Sequence, residues 1–245
     1  MSPLLPRPSL TAIVLGLAMT TAAGADPVAD CNSQDGRLAV AGCSRLIASG
    51  ELADDKLSIA LNNRGIAYVQ RQLGVLAIAD FVVAKRIDPS NVMAMNNLCH
   101  VWLDADQPSR ALAACTEAIE VKSDFYEAYS NRALAHLALG NLSAALDDAN
   151  QSLLINPDCP DALANRGFLH EKSGRIPEAI GDYEKALSLA PGHALARERL
   201  EQLRRGAQGP PPRHAVPALA RLGQIGRARG ADGHPSGCAP AAELR

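Results

Sequence analysis

The sequence predicts an all-α protein, a solenoid of stacked helix-turn-helix units. Three observations carry that prediction. Asn63, Asn97, Asn131 and Asn165 stand 34 residues apart at every step. Pro89, Pro157 and Pro191 fall on the same grid, with Ser123 in the remaining slot. Ala and Leu dominate while aromatics make up only 3% of the 245 residues, a mixture that suits helices packed closely through small side chains. Two independent series sharing one period leave coincidence a poor explanation. A period of this size signals supersecondary units, each burying on its neighbours the apolar face it cannot bury alone.

The elements follow in chain order. Residues 1–25 begin with one cation, Arg7, continue through the apolar run LTAIVLGLAM, and end in the small residues TTAAGA. This is the three-part pattern of a secretory signal cut after Ala25, so the mature chain is expected to be exported, to the periplasm or beyond. The apolar run is shorter than the roughly 20 residues of a stable membrane span, so no transmembrane anchor is expected after cleavage. The alternative is an uncleaved N-terminal anchor.

Residues 26–57 hold a degenerate unit. RLAVAGCSRLI (Arg37 to Ile47) aligns with RALAACTEAI (Arg110 to Ile119), matching Ala39 to Ala111 and Cys43 to Cys115. The offset exceeds two periods by four residues, and ASGELADD supplies a longer connection for the surplus. The segment reads as a helical hairpin with a shortened first helix that caps the array.

Four full units follow when each Pro slot is set to position 32: residues 58–91, 92–125, 126–159 and 160–193. Position 20 is Ala77, Ala111, Ala145 and Ala179. Position 8 is small: Gly65, Cys99, Ala133 and Gly167. Position 11 carries a ring in every unit: Tyr68, Trp102, His136 and His170. Asp88-Pro89 and Asn156-Pro157 end second helices, because proline cannot continue one. Gly140 and Gly174 fall at the turns between first and second helices. Over residues 58–193 the chain resembles the tetratricopeptide-repeat family, including exported bacterial proteins of that kind. The resemblance implies a right-handed solenoid of helix pairs, here called helix A and helix B. It also implies that the position 6 asparagines pack between neighbouring units as structural joints bonded to backbone. The rival is a ladder of asparagines gripping a peptide backbone.

Residues 194–205 form a terminal helix, with Leu195, Leu200 and Leu203 on one stripe against the last unit. Residues 206–245 are rich in Gly, Pro, Ala and Arg, lack periodicity, and read as a disordered tail.

Six cysteines in an exported chain suggest disulfides, with 15 connectivities open. Cys31 and Cys43 flank the turn NSQDG of the cap hairpin, where a bridge staples a unit that has a neighbour on one side only. Cys99 and Cys115 occupy positions 8 and 24 of one unit and face each other, either as a bridge or as buried thiols. Cys159 and Cys238 have no evident partner, and no Cys-x-x-Cys occurs to support a redox or zinc site.

No motif of an enzyme appears: no phosphate loop, no HExxH, no Ser-His-Asp order. His136 and His170 are a remote candidate for a metal or catalytic pair, but they fill a ring slot and lack a third ligand in phase. Asp147-Asp148 lies on a helix B, where acidic residues are expected to face solvent. No catalytic residue, cofactor or metal is expected. A net charge of −2 offers nothing to nucleic acid, which leaves a protein or peptide partner. The resemblance implies a concave groove lined by helix A positions 2, 5, 9 and 12. In the first unit these are Ile59, Asn62, Ile66 and Val69; in the second, Met93, Asn96, His100 and Leu103. The third unit gives Glu127, Ser130, Leu134 and Leu137; the fourth, Asp161, Ala164, Phe168 and Glu171. This is a mostly apolar strip with carboxylates at one end, suited to a segment with apolar anchors and a basic residue. No Lys or Arg lies at these positions, so capture of a C-terminal carboxylate is not expected. The alternative is a rigid accessory subunit of an envelope assembly that uses its ends or its convex face.

Overall fold

The computed structural model describes residues 26–206 and Leu244; the expected signal segment and most of the expected tail lie outside the described residues. Eleven helices are found among the described residues. The N-terminal hairpin is α1 (Pro27–Cys31) and α2 (Gly36–Ser49). Four A/B pairs follow: α3 (Asp54–Gln70) with α4 (Gly74–Ile87), α5 (Val92–Asp104) with α6 (Pro108–Val121), α7 (Tyr126–Ala138) with α8 (Leu142–Ile155), and α9 (Pro160–Lys172) with α10 (Ile176–Leu189). Helix α11 (Ala194–Gly206) closes the array, burying Leu195, Ala196 and Leu200.

The turns explain why the pairs repeat. In each unit the A-to-B turn needs one residue at position 15 with left-handed backbone. Gly140 and Gly174 fill it with φ of 81° and 78°, while Gln72 and Asp106 adopt φ of 60° and 55°. The next amide then reaches back to the position 11 carbonyl, at 2.8 Å in all four units: Leu73 to Tyr68, Gln107 to Trp102, Asn141 to His136 and Arg175 to His170. This is the six-to-one bond that closes a helix end through a left-handed residue. The B-to-A turn is set by an extended residue before the Pro slot, as proline's ring demands of its predecessor. Asp88 and Asn156 obey, at φ/ψ of −125°/96° and −131°/91°. Lys122, before Ser123, takes the same conformation at −138°/96°, so stacking enforces the bend without proline.

The seam between paired helices lies at positions 8 and 24, and each unit fills the same volume differently. A side chain at Gly65 would place its Cβ 2.5 Å from Phe81, and one at Gly167 would lie 2.8 Å from Tyr183. The third unit uses Ala133 and Ala149, both buried. The second closes the seam covalently with Cys99–Cys115, whose Cα atoms are 5.4 Å apart. One continuous core runs from Ala77 and Phe81 to Leu195 and Leu200.

At the N-terminal end Cys31 and Cys43 are bonded, with Cα atoms 4.5 Å apart. Gly42 makes room, since a Cβ there would lie 2.5 Å from the backbone nitrogen of Cys31. The surplus between cap and first unit is not all loop. Helix α3 starts at Asp54, four residues ahead of the expected unit boundary, so part of the surplus becomes an extra helical turn. Two expectations need correction. Cys159 is disulfide-bonded, although the sequence offered no partner for it. Leu244, in the segment expected to be disordered, is 5% exposed and joins the apolar cluster of Cys31, Cys43 and Ala60.

Candidate functional site

The A helices α3, α5, α7 and α9 contact one another in succession and form the layer that would line a groove. Along that layer runs a ladder of side-chain amides. Asn97 Nδ2 donates to Asn62 Oδ1 at 2.9 Å, Asn131 Nδ2 to Asn96 Oδ1 at 2.8 Å, and Asn165 Nδ2 to Ser130 Oγ at 2.9 Å. Position 6 of each unit thus bonds position 5 of the unit before it. The asparagines are joints, as the resemblance implied, and they donate to side chains of the preceding unit. Asn63 continues the ladder into the cap, donating to Asn32 Oδ1 at 3.2 Å.

The ladder decides the fate of several residues assigned to the groove. Asn62, Asn96 and Ser130 are buried and serve as acceptors, so they are corrected from ligand-facing to joint residues. Leu103, Leu134, Ala164 and Phe168 are buried within the main core. Glu127 is buried as well. The half-buried remainder is Ile59, Ile66, Val69, Met93, His100, Leu137, Asp161 and Glu171.

The two carboxylates expected to await a basic partner are already engaged by side chains of this chain. Glu171 is bonded by Arg199 of α11 and receives the Tyr183 hydroxyl at 3.3 Å. Asp161 lies 2.9 Å from His193 Nε2. Burial and Glu171 together push the Tyr183 hydroxyl far above its ordinary range, so it stays protonated. Helix α11 therefore does more than shield the last unit: its Arg199 occupies the Glu171 carboxylate at that end of the groove.

Behind the A layer lies a second repeated device, one that residue-by-residue inspection of the sequence does not reveal. Arg64 grips Asp80 through Nε and Nη2 at 2.7 and 2.8 Å. Arg132 grips Asp148 at 2.8 and 2.7 Å, and Arg166 grips Asp182 at the same two distances. Each is a two-pronged pair sixteen residues apart, linking position 7 on helix A to position 23 on helix B. Asp148, expected to face solvent, is only 7% exposed because the guanidinium draws it inward. The signal was present as Arg-x15-Asp, repeated three times. In the second unit the same positions hold Leu98 and Ala114, both buried, so the ion pair is replaced on both sides at once.

His136 and His170 stand beside these pairs, each with Nε2 3.7 Å from the aspartate of its own unit. Each thus faces its own Arg–Asp pair. Among the described residues no group of three or more His, Cys, Asp or Glu is arranged to hold a metal. Burial lowers the His170 pKa from its ordinary value, against the upward pull of Asp182. A histidine whose folded-state pKa is depressed contributes stability that is complete above the unfolded value and is lost as pH falls. The melting temperature is therefore expected to fall more steeply below about pH 6.5 than that of His170→Phe, which keeps a ring in the slot. Equal slopes in thermal melts across that range would contradict this.

These features define a class: an array of helical hairpins joined by amide rungs, braced by ion pairs and closed by a terminal helix, the architecture of an interaction scaffold. The chain carries tetratricopeptide repeats. Two family models described as tetratricopeptide repeat match residues 103–156 and 160–193. Among solved structures, a thermophilic TPR protein of Thermus thermophilus is similar at a TM-score of 0.60 and 20% identity, covering 69% of this chain and 91% of that one. A structure of pilF from Pseudomonas aeruginosa gives 0.57 and 19%, covering 63% and 71%. A MamA protein gives 0.54 and 20%, covering 69% and 90%. At these identities the likeness is one of fold. A search of curated proteins returns no significant match. The repeats make the chain a module for protein–protein interaction, as adaptor or scaffold.

Proposed function

We propose that the protein is an exported, non-enzymatic adaptor that binds an extended or helical segment of a partner along the inner face of its A helices. The observation that carries the reading is a half-buried apolar strip of Ile59, Ile66, Val69 and Met93 beside the rigid amide ladder. Apolar anchors provide affinity and a preorganised wall lowers the ordering cost. Two disulfides among the described residues support export, because such bonds persist in oxidising compartments. No helix among the described residues is long and apolar enough to cross a membrane.

One observation favours the scaffold alternative. Helix α4 exposes Val75 at 83%, along with Leu76 and Val83, an apolar stripe on the outer layer. The two readings separate by mutation. Partner captured from the native envelope fraction should fall about tenfold with Ile66→Ala/His100→Ala and hold with Val75→Ser/Leu76→Ser. The reverse pattern would assign binding to the outer layer. Leu134 is unsuitable for this purpose, since its side chain is part of the core.

A further inference from the structure

We propose that the N-terminal cap carries a second binding site, one for a leucine together with its own peptide backbone: the Asn32 side-chain amide reads the backbone, the cap's apolar cluster takes the side chain, and the chain's own Leu244 is the resident ligand. The site goes beyond the groove reading, because it lies at the capped end of the array. Of the residues assigned to the groove, Ile59 alone packs against this cluster.

Two hydrogen bonds form the backbone half of the site. Asn32 Nδ2 donates to the Leu244 carbonyl at 3.0 Å, and the Leu244 amide donates to Asn32 Oδ1 at 3.2 Å. One side-chain amide can serve both groups of a residue only when they point to the same side, as they do toward a neighbouring strand. The ligand's side chain takes no part in these bonds. They fix where its backbone lies and leave its identity to the cluster.

The amide ladder holds Asn32 in the orientation this requires. Asn32 Oδ1 also accepts from Asn63 Nδ2 at 3.2 Å, Asn63 Oδ1 accepts from Asn62 Nδ2 at 3.3 Å, and Asn62 Oδ1 accepts from Asn97 Nδ2 at 2.9 Å. A side-chain amide has one acceptor end and one donor end. With its oxygen turned to Asn63, Asn32 must aim its nitrogen at the Leu244 carbonyl. An asparagine that grips backbone thus exists, as the last link of the ladder.

The side-chain half is equally preformed. Leu244 is 5% exposed and is buried among Cys31, Cys43 and Ala60, with Ile47 and Leu52 packed against them. Asn32 directly follows Cys31 and closes α1, its amide donating to the Val28 carbonyl at 3.1 Å. The Cys31–Cys43 bond therefore fixes both the pocket and the residue next to it that reads backbone. A site held in place beforehand spends little binding energy on ordering. Its walls are aliphatic or sulfur-bearing, so a charged side chain in place of leucine would be buried without a partner.

The test uses the full chain. The probe is the acetylated and amidated peptide AAELR, residues 241–245, titrated while the Asn32 side-chain amide resonance is followed by NMR. It should bind the variant Leu244→Asp at least about tenfold more tightly than the unaltered chain, whose own leucine competes at high effective concentration. N-methyl-leucine in the peptide removes one backbone donor and should weaken binding to that variant about tenfold. Alanine in place of the peptide's leucine should weaken it by about as much or more. Both comparisons alter the ligand alone, so neither depends on how a cap variant folds. In the unaltered chain the Leu244 amide should exchange with deuterium at least about tenfold more slowly than in an unstructured peptide. No binding to Leu244→Asp, equal binding to both chains, indifference to either peptide change, or unprotected exchange at Leu244 overturns the proposal. None of these results bears on partner capture by the Ile66 and His100 variants, so failure here is distinct from failure of the adaptor reading.

Discussion

Arg132→Leu is expected to lower unfolding free energy by about 3 kcal/mol, because it strands Asp148 in a site that is 7% exposed. Asp148→Ala should cost a similar amount by leaving the guanidinium without its two-pronged partner. The double variant Arg132→Leu/Asp148→Ala should return to within about 1 kcal/mol of the parent, since replacing both partners by apolar groups removes the stranded charge. The protein contains its own precedent: Leu98 and Ala114 hold the equivalent positions in the second unit, and both are buried. Urea midpoints of the four proteins, all fully oxidised, complete the cycle. If the two single losses simply add, the pair is not a coupled unit and its recurrence needs another explanation.

The second large effect is steric. Gly65→Ala gains about 1 kcal/mol of helix propensity. It also sets a methyl 2.5, 2.8 and 2.9 Å from three atoms of Phe81, a ring with no exposed surface and nowhere to move. Overpacking of this kind costs about 3 kcal/mol, so a net loss of about 2 kcal/mol is expected. Gly181→Ala is the matched control. Nothing lies within 4 Å of a Cβ there, and the residue sits within α10, so the same substitution should stabilise by about 1 kcal/mol. The two changes having the same sign in chemical denaturation would refute the seam as described.

The sequence carried the period, and with it most of the helix positions. A constant stride propagates one correct alignment to every unit, so a single Pro slot places the eight helices of the four units at once. Both described disulfide pairs were legible for the same reason, as hairpin geometry brings those positions together. What stays hidden in the sequence depends on side chains meeting across units or layers. The Arg–Asp pairs are hidden because each residue, taken alone, has an ordinary surface reading. Only the sixteen-residue interval, repeated at Arg64, Arg132 and Arg166, reveals the partnership. The expected groove is too wide because position 5 belongs geometrically to the inner face yet is consumed by the next unit's asparagine. The carboxylates of Asp161 and Glu171 look available because His193 and Arg199, which engage them, lie in the closing segment beyond the groove-lining helices. Leu244 is illegible altogether: nothing periodic links it to Asn32, 212 residues earlier.

The second unit differs from its neighbours in what fastens its two helices. In the first, third and fourth units an Arg–Asp pair does this and is indifferent to thiols; in the second the fastening is Cys99–Cys115, flanked by Leu98 and Ala114. In a linear stack each repeat is coupled only to those beside it, so cooperativity fails first where a link is weakest. Under reducing conditions a weak link appears in the interior of the array, between units that keep their Arg–Asp pairs. Oxidation state would then govern whether the stack melts as one body or as two.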